Sequence, residues 1–398
     1  MIITSMLDND LYKFTMLQAV LHQHPGAMVE YVFKCRTEGI DFRAYESDII
    51  KEINKMCRGL QFTKEELEYL GDLRFMKEDT IQFLKLFKFD YDYLNIIADD
   101  KGTLHIQVKG PWLHTILFEI PILSIVSEIY SRDMSENFDE ANRRTEEKID
   151  LINRLYGEED VAILFADFGG RRRHSVEAHK NVLTLFKEGC YAPRSGKGLV
   201  GTSNVMFAKE LGLTPIGTMA HEWLQAHQAL YRVADSQFMA LENWAKEYRG
   251  DLGIALSDVI GLKYFLHDFD MFFSKLFDGT RQDSGDPYEY GGAMIKHYKN
   301  MGIDPRTKTI VFSDGLDFIR AAELAKSFGK SIKVSFGIGT HITNDFDFKA
   351  LQIVLKMIEC NGNPVAKRSD SPGKGMCTDQ DYVEYLERTF ARRISKDK

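Results

Sequence analysis

The chain has 398 residues, 44% hydrophobic and 12% aromatic, which is enough for a large core and too long for one small domain. Its formal net charge of −8 argues against a nucleic-acid coat, which needs a basic surface, yet leaves room for a local basic pocket. The five cysteines (Cys35, Cys57, Cys190, Cys360, Cys377) are odd in number and form no CxxC pair, so they read as reduced thiols of a cytoplasmic protein and not as a zinc cluster.

The opening "MIITSMLDNDLYKF" has no basic region and meets acids early, unlike a signal peptide. Residues 10–24 show helical spacing and stop at Pro25. "MVEYVFKCR" (28–36) alternates, with Val29, Tyr31, Phe33 and Cys35 on one face, and "TLHIQVKG" (103–110) alternates too. Charged helical segments are expected at 63–78 and 136–156. The apolar stretch 116–130 contains Glu119, Pro121 and Glu128; it is too short and too charged to span a bilayer and reads as a buried helix.

From about residue 160 short apolar runs alternate with helical stretches. "VAILFAD" (161–167), "GLVGTSN" (198–204), "TPIGT" (214–218), "GIALSD" (253–258), "SKLFDGTRQDSGD" (274–286), "TIVFSDG" (309–315) and "IKVSFGIG" (332–339) end mostly in Gly, Ser, Thr or Asp, with a long helix expected near 221–247. Such repeats indicate a parallel sheet, and their number suits a closed barrel better than an open doubly wound sheet. The tail 351–370 reads as two strands joined through Asn361-Gly362-Asn363. The expected architecture is α/β: an irregular barrel over residues 136–346, with an α+β domain built from 1–135 and rejoined by 347–398.

Three motifs fail. His221 and His227 in "GTMAHEWLQAHQ" lie six apart, about 240° around a helix, so they cannot form the HExxH zinc pair. "SGKG" (195–198) lacks Walker A spacing, and "GIGTHI" (337–342) lacks the third glycine of a dinucleotide fingerprint. "LNIIADDKGTL" (94–104) resembles a phosphoribosyl-diphosphate loop but is too short, and reads as a hairpin turn.

Barrel active sites form at strand C-termini, so those ends are read together. "ADFGGRRRHS" puts Phe168 beside Arg171, Arg172 and Arg173, suiting a flat substrate with an anion nearby. "DGTRQDSGDP" puts Arg281 with Asp278, Asp283 and Asp286, the densest polar cluster of the chain, fit for phosphate, ribose hydroxyls or Mg²⁺. Asp314 and Gly315 in "FSDGLD", with Gly337, Gly339 and Thr340 in "SFGIGTHITND", allow a phosphate to approach the backbone. Thr202, Ser203 and Asp258 follow other strands and read individually as helix caps. His221 follows "TPIGT" at a helix start, where it is a cap, a core residue or a site residue. "KRSDSPGK" (367–374) reads as a solvated loop.

These pieces in order, with "LDNDLYKFTM", "FADFGGRRR", "LVGTSN", "GTMAHEWLQAHQ", "FDGTRQDSGDP", "VFSDGL", "FGIGT" and "NPVAKRSDSPGK", resemble nicotinate phosphoribosyltransferase over essentially the whole chain. The resemblance implies synthesis of nicotinate mononucleotide from nicotinate and phosphoribosyl diphosphate in NAD salvage, coupled to ATP hydrolysis. It implies a type II phosphoribosyltransferase barrel in which His221 accepts a phosphoryl group, with Glu222 helping to orient the ring and His227 structural. Phe168 would stack on the pyridine; Tyr12 would cover the other face, from a neighbouring subunit in dimeric relatives, so a homodimer is one expected arrangement. Arg171 would meet the carboxylate or a phosphate. Thr202, Arg281, Asp283 and Asp258 would serve phosphate and ribose, while Asp314, Gly315, Gly337, Gly339 and Thr340 would cradle the 5′-phosphate. Mg²⁺ would ride on substrate phosphates, not on protein ligands. Nicotinamide-using relatives carry an acid where this chain has Ser203, which favours nicotinate. The alternatives are an ATP-independent enzyme for nicotinamide or quinolinate, an unrelated barrel lyase or isomerase, and a non-catalytic binding protein.

Overall fold

The structure is a computed structural model that describes residues 1–190, 198–371, 375, 377 and 379–396. Residues 195–197 of the rejected "SGKG" motif and residues 372–374 of the "KRSDSPGK" stretch lie outside the described residues.

Two sheets organise the chain. The first is antiparallel and takes strands from both chain ends: β1 (Met28–Cys35), β2 (Leu94–Ala98), β3 (Leu104–Pro111) and, from the C-terminal side, a long strand Ile353–Cys360 with its short partner Asn363–Pro364. Alternation in β1 buries Val29, Tyr31 and Phe33, as a half-covered sheet requires. Residues 99–103 turn β2 back onto β3, and Asn361 and Gly362, both left-handed (φ 50° and 77°), turn the C-terminal hairpin.

The second sheet is parallel. Its strands are β4 (Phe165–Asp167), β5 (Leu199–Thr202), then, past β6 (Arg249–Leu252), β7 (Ile254–Leu256), β8 (Gly279–Gln282), β9 (Thr309–Phe312) and β10 (Lys333–Ile338), in the order β5-β4-β10-β9-β8-β7. The C-terminal hairpin strands are accordingly β11 (Ile353–Cys360) and β12 (Asn363–Pro364). Residues 214–218 span the gap between β5 and β7. The Thr202 N–H donates to Thr214 O, the Ile216 N–H donates to Thr202 O, and the Thr218 hydroxyl donates to Ile254 O. Pro215 has no N–H to give a ladder, so this seventh stave is a single bridge and not a strand. That is the irregularity of the barrel.

Three expected elements differ. The helix expected over 221–247 is two, His221–Leu230 and Ser236–Tyr248, folded back so that the Trp223 indole donates to Ala240 O at 2.9 Å. Unbroken, it would run about 40 Å and leave the core. The segment 63–78 is a short helix Lys64–Gly71 plus a turn, and "SKL" (274–276) ends the helix Met271–Leu276 instead of starting a strand. The apolar stretch continues as the helix Glu119–Met134, buried along most of its length.

The helix Leu11–Gln23 is buried on every side through Val20 because it is wedged between the domains. Lys13 fastens it: its Nζ lies 2.7 Å from both Glu119 and Glu222, and all three are buried. Lys13→Met would strand two buried carboxylates and cost about 3–5 kcal/mol, read from urea denaturation. A loss below about 1 kcal/mol would show that the triad is not what holds the domains together.

Candidate active site

The strand ends of the barrel and the face of the antiparallel sheet enclose a cavity of about 580 Å³. Its wall includes Tyr12, Phe168, Arg171, Ser203, His221, Arg281, Asp283, Asp314, Gly315, Gly337, Gly339 and Thr340. Two expected residues are not on that wall. Thr202 is fully buried and its hydroxyl donates to Asp167 at 2.6 Å, so it braces the end of β4 instead of meeting a ligand. Asp258 lies behind His221, spent on protein partners.

The end of β4 shows why position matters. Asp167 accepts from Thr202 and the Gly169 N–H and pairs with His179 at 2.7 Å, fixing the turn that follows. Phe168 then packs on Gly337 of β10, where any Cβ would come within 2.4 Å of its ring. The three arginines separate. Arg173 is fully buried and gripped by both oxygens of Asp8 (2.6 and 2.8 Å), a structural role. Arg171 and Arg172 reach the cavity, Arg171 3.4 Å from Glu119 and Arg172 donating to Gln352 at 2.8 Å. Burial, with repulsion from Arg171 and Arg36, pushes Arg172 down to about 10.

His221 begins its helix at the mouth. Its Nε2 is 2.9 Å from Asp258 Oδ1 and 3.4 Å from Asp283 Oδ2. Asp258 Oδ2 takes the Lys367 ammonium and the Ser284 hydroxyl, each at 2.7 Å. Burial raises the Asp258 carboxyl, but His221 and Lys367 outweigh it and hold it well below the usual range. Burial, reinforced by Lys367 against the pull of Asp258, lowers His221 to about 4. From 6.5 to about 4 is about 3 kcal/mol in favour of the neutral ring. With Asp258 ionised, Nε2 carries the hydrogen and Nδ1 the lone pair; this tautomer is assigned from the hydrogen bond. Nδ1 makes no hydrogen bond among the described residues. Glu222 does not orient the ring; its carboxylate is taken by Lys13. His227 is buried, bonded to Trp223 O and Asn243.

His221, Asp258 and Asp283 each place one potential ligand atom within 4.8 Å of the others, the spacing of a cation site. Mg²⁺ fits them poorly, since it prefers an all-oxygen shell and Lys367 already supplies the positive charge. Lys367 is itself a correction: it is buried, not part of a solvated loop.

The sequence reading missed Asp10, Arg36, Glu119, Gln352 and Lys356, all on the cavity wall. Lys356 had a signal, a lone lysine inside the apolar run "IVLKMIEC"; burial and then Lys367 lower it to about 7. Tyr12 lines the cavity of its own chain.

A flat aromatic platform, arginines, a neutral histidine and glycine-rich strand ends around one cavity define an α/β-barrel enzyme for an anionic ring and phosphates. Comparison with known proteins narrows this. Residues 163–394 match the nicotinate phosphoribosyltransferase (NAPRTase) family and residues 7–127 match its N-terminal domain. The chain is 53% identical over 393 residues to a Xylella fastidiosa nicotinate phosphoribosyltransferase, covering 98% of both, and 53% identical over 395 residues to that of Burkholderia mallei, covering 98% of this chain and 97% of the other. Among solved structures, that of the Vibrio cholerae nicotinate phosphoribosyltransferase superposes with a TM-score of 0.93 at 38% identity, covering 98% of this chain and 94% of that one. A putative Saccharomyces cerevisiae nicotinate phosphoribosyltransferase gives 0.91 at 30% identity, covering 98% of each chain. The chain belongs to the nicotinate phosphoribosyltransferase family.

The His221 ring should stay neutral to about pH 4. Its ring-proton resonances, identified by their loss in His221→Gln, should hold constant from pH 8 to pH 5; a midpoint above 6 would overturn the assignment. The unfolded ring protonates first, so its contribution to stability is lost as pH falls from 6.5 towards 4, by up to about 1.4 kcal/mol per pH unit.

Proposed function

We propose that this enzyme joins nicotinate to the ribose of phosphoribosyl diphosphate, releasing pyrophosphate, and couples that transfer to ATP hydrolysis through a phosphohistidine at His221. The observation that carries the reading is the arrangement of His221, held neutral with Nδ1 unpaired, in one cavity with an aromatic–arginine wall and glycine-rich strand ends.

The Nδ1 lone pair attacks the γ-phosphorus of ATP; the P–N bond forms as the bond to ADP breaks. Asp258 keeps the Nε2 hydrogen and faces the positive charge the ring then carries. The nicotinate ring lies on Phe168 under Tyr12, its carboxylate towards Arg171. Its nitrogen displaces pyrophosphate from ribose C1, and the carboxylate of Asp283 faces the charge building on the sugar. Burial raises Asp283, but Arg281 and Lys367 hold it below the usual range, so it is ionised throughout. Arg281, Arg172 and Lys356 stand ready for the departing phosphates. Mg²⁺ carried by the substrate phosphates would supply charge neutralisation at the leaving groups. Water then cleaves the phosphohistidine to phosphate, which draws the transfer towards product. The reaction makes the enzyme a ligase-type glycosyltransferase of NAD biosynthesis, and we place it in the cytoplasm.

With γ-labelled ATP the enzyme should become labelled, and His221→Ala should lose both the label and the stimulation by ATP while keeping slow transfer. Label surviving in His221→Ala would reject the assignment. Phe168→Ala should raise the Michaelis constant for nicotinate about two- to tenfold, since an aromatic contact contributes roughly 0.5–1.5 kcal/mol, and leave that for phosphoribosyl diphosphate nearly unchanged. Equal effects on both would remove the stacking role.

A further inference from the structure

No acid follows β5 in the sequence, where the chain has Ser203. The fold supplies one from elsewhere. Asp10, just before the helix Leu11–Gln23, is 2% exposed and lines the cavity beside Tyr12, Phe168 and Arg171. Its Oδ1 accepts the Ser203 hydroxyl at 2.7 Å. An acid therefore stands in contact with Ser203, carried by the N-terminal segment.

The groups facing Asp10 are mixed. Arg171 attracts its charge, while Asp167 and Glu119 repel it. Tyr12 keeps its proton, since burial raises its phenol well above 10. Arg171 does not neutralise Asp10 alone, because Glu119 shares the same guanidinium at 3.4 Å. A nicotinate carboxylate arriving there would be a third acid beside Arg171, since Lys13 is already held between Glu119 and Glu222. Closely spaced carboxylates in a dry compartment do not all stay ionised; one takes a proton. Burial, against the pull of Arg171, already lifts Asp10 to about 6, nearest to protonation of those three.

We propose that Asp10 is a specificity-determining residue of the pyridine subsite: protonated, it donates its carboxyl hydrogen to the nicotinate carboxylate, and ionised, it is the acceptor that an amide requires. This deepens the nicotinate reading above and rests on it. Binding takes one proton from solvent onto Asp10, and that proton returns to solvent when the ligand leaves; no covalent bond changes. Nicotinate affinity then falls as pH rises above the titration of Asp10, while affinity for nicotinamide does not.

The test is calorimetric titration of the full-length protein with nicotinate, at several pH values and in buffers of different ionisation enthalpy. Near pH 7.5 about one proton should be taken up per nicotinate, and affinity should fall by up to about tenfold per pH unit between 6.5 and 8.5. Asp10→Asn should abolish the uptake and flatten the profile, and should lower use of nicotinamide relative to nicotinate. Ser203→Ala keeps Asp10 and should keep the uptake, while Glu119→Gln relieves the crowding and should reduce it. Nicotinate binding without proton uptake in the unsubstituted protein overturns the proposal, as does uptake that survives in Asp10→Asn, vanishes in Ser203→Ala or rises in Glu119→Gln. Should Asp10→Asn not fold, the other three proteins still decide. Failure of the unsubstituted protein to bind nicotinate at all would instead overturn the functional reading, and the proposal with it.

Discussion

The barrel mouth depends on how one buried carboxylate is shared. Asp258 holds the imidazole of His221 with one oxygen and the ammonium of Lys367 with the other, while Ser284 donates to the second as well. A carboxylate this buried persists only when its lone pairs are filled. Filling them joins three distant parts of the chain: the end of β7, the helix starting at His221 and the C-terminal segment. Burial and the Lys367 charge keep the histidine neutral against the pull of Asp258, whose bond chooses the tautomer and sets an ionised acid against the ring. One electrostatic constraint thus serves both fold and chemistry.

The N-terminal segment obeys a similar logic. Asp8 pairs with Arg173, Asp10 accepts from Ser203, and Lys13 joins Glu119 to Glu222. Three charged residues within six positions are buried, and each needs a barrel-side or helix partner to be tolerated there. Their placement puts Tyr12 over the cavity and Asp10 in its wall. Gly217 lets this approach happen, since a Cβ there would lie 2.9 Å from the Tyr12 nitrogen. The site is therefore built across the domain boundary and is not a property of the barrel alone.

The sequence revealed what periodicity and local chemistry encode. The alternation of β1 and β3, the short apolar staves and the Asn361-Gly362 turn each carry their own signal. Phe168, Arg171, His221, Arg281 and Asp283 were visible because barrel strand ends converge. Long-range partners were not visible. Nothing local distinguishes Arg173, which Asp8 buries, from Arg171, which faces the cavity. Thr202 and Ser203 are neighbours, yet alternation along the strand turns one inward to Asp167 and leaves the other in the wall. Lys367 looked solvated because its partner lies 109 positions upstream, at Asp258. The break after Leu230 follows from tryptophan packing that no helical pattern reports.

The chemistry turns on which nitrogen of His221 reacts. Asp258 at Nε2 leaves the lone pair on Nδ1. Phosphorus–nitrogen coupling, measured by magnetic resonance on enzyme carrying nitrogen-15 histidine and phosphorylated by ATP, reads this directly. The shared carboxylate predicts coupling to Nδ1 of His221. Coupling to Nε2 would mean that Asp258 releases the ring before reaction, and would contradict its role in fixing the tautomer.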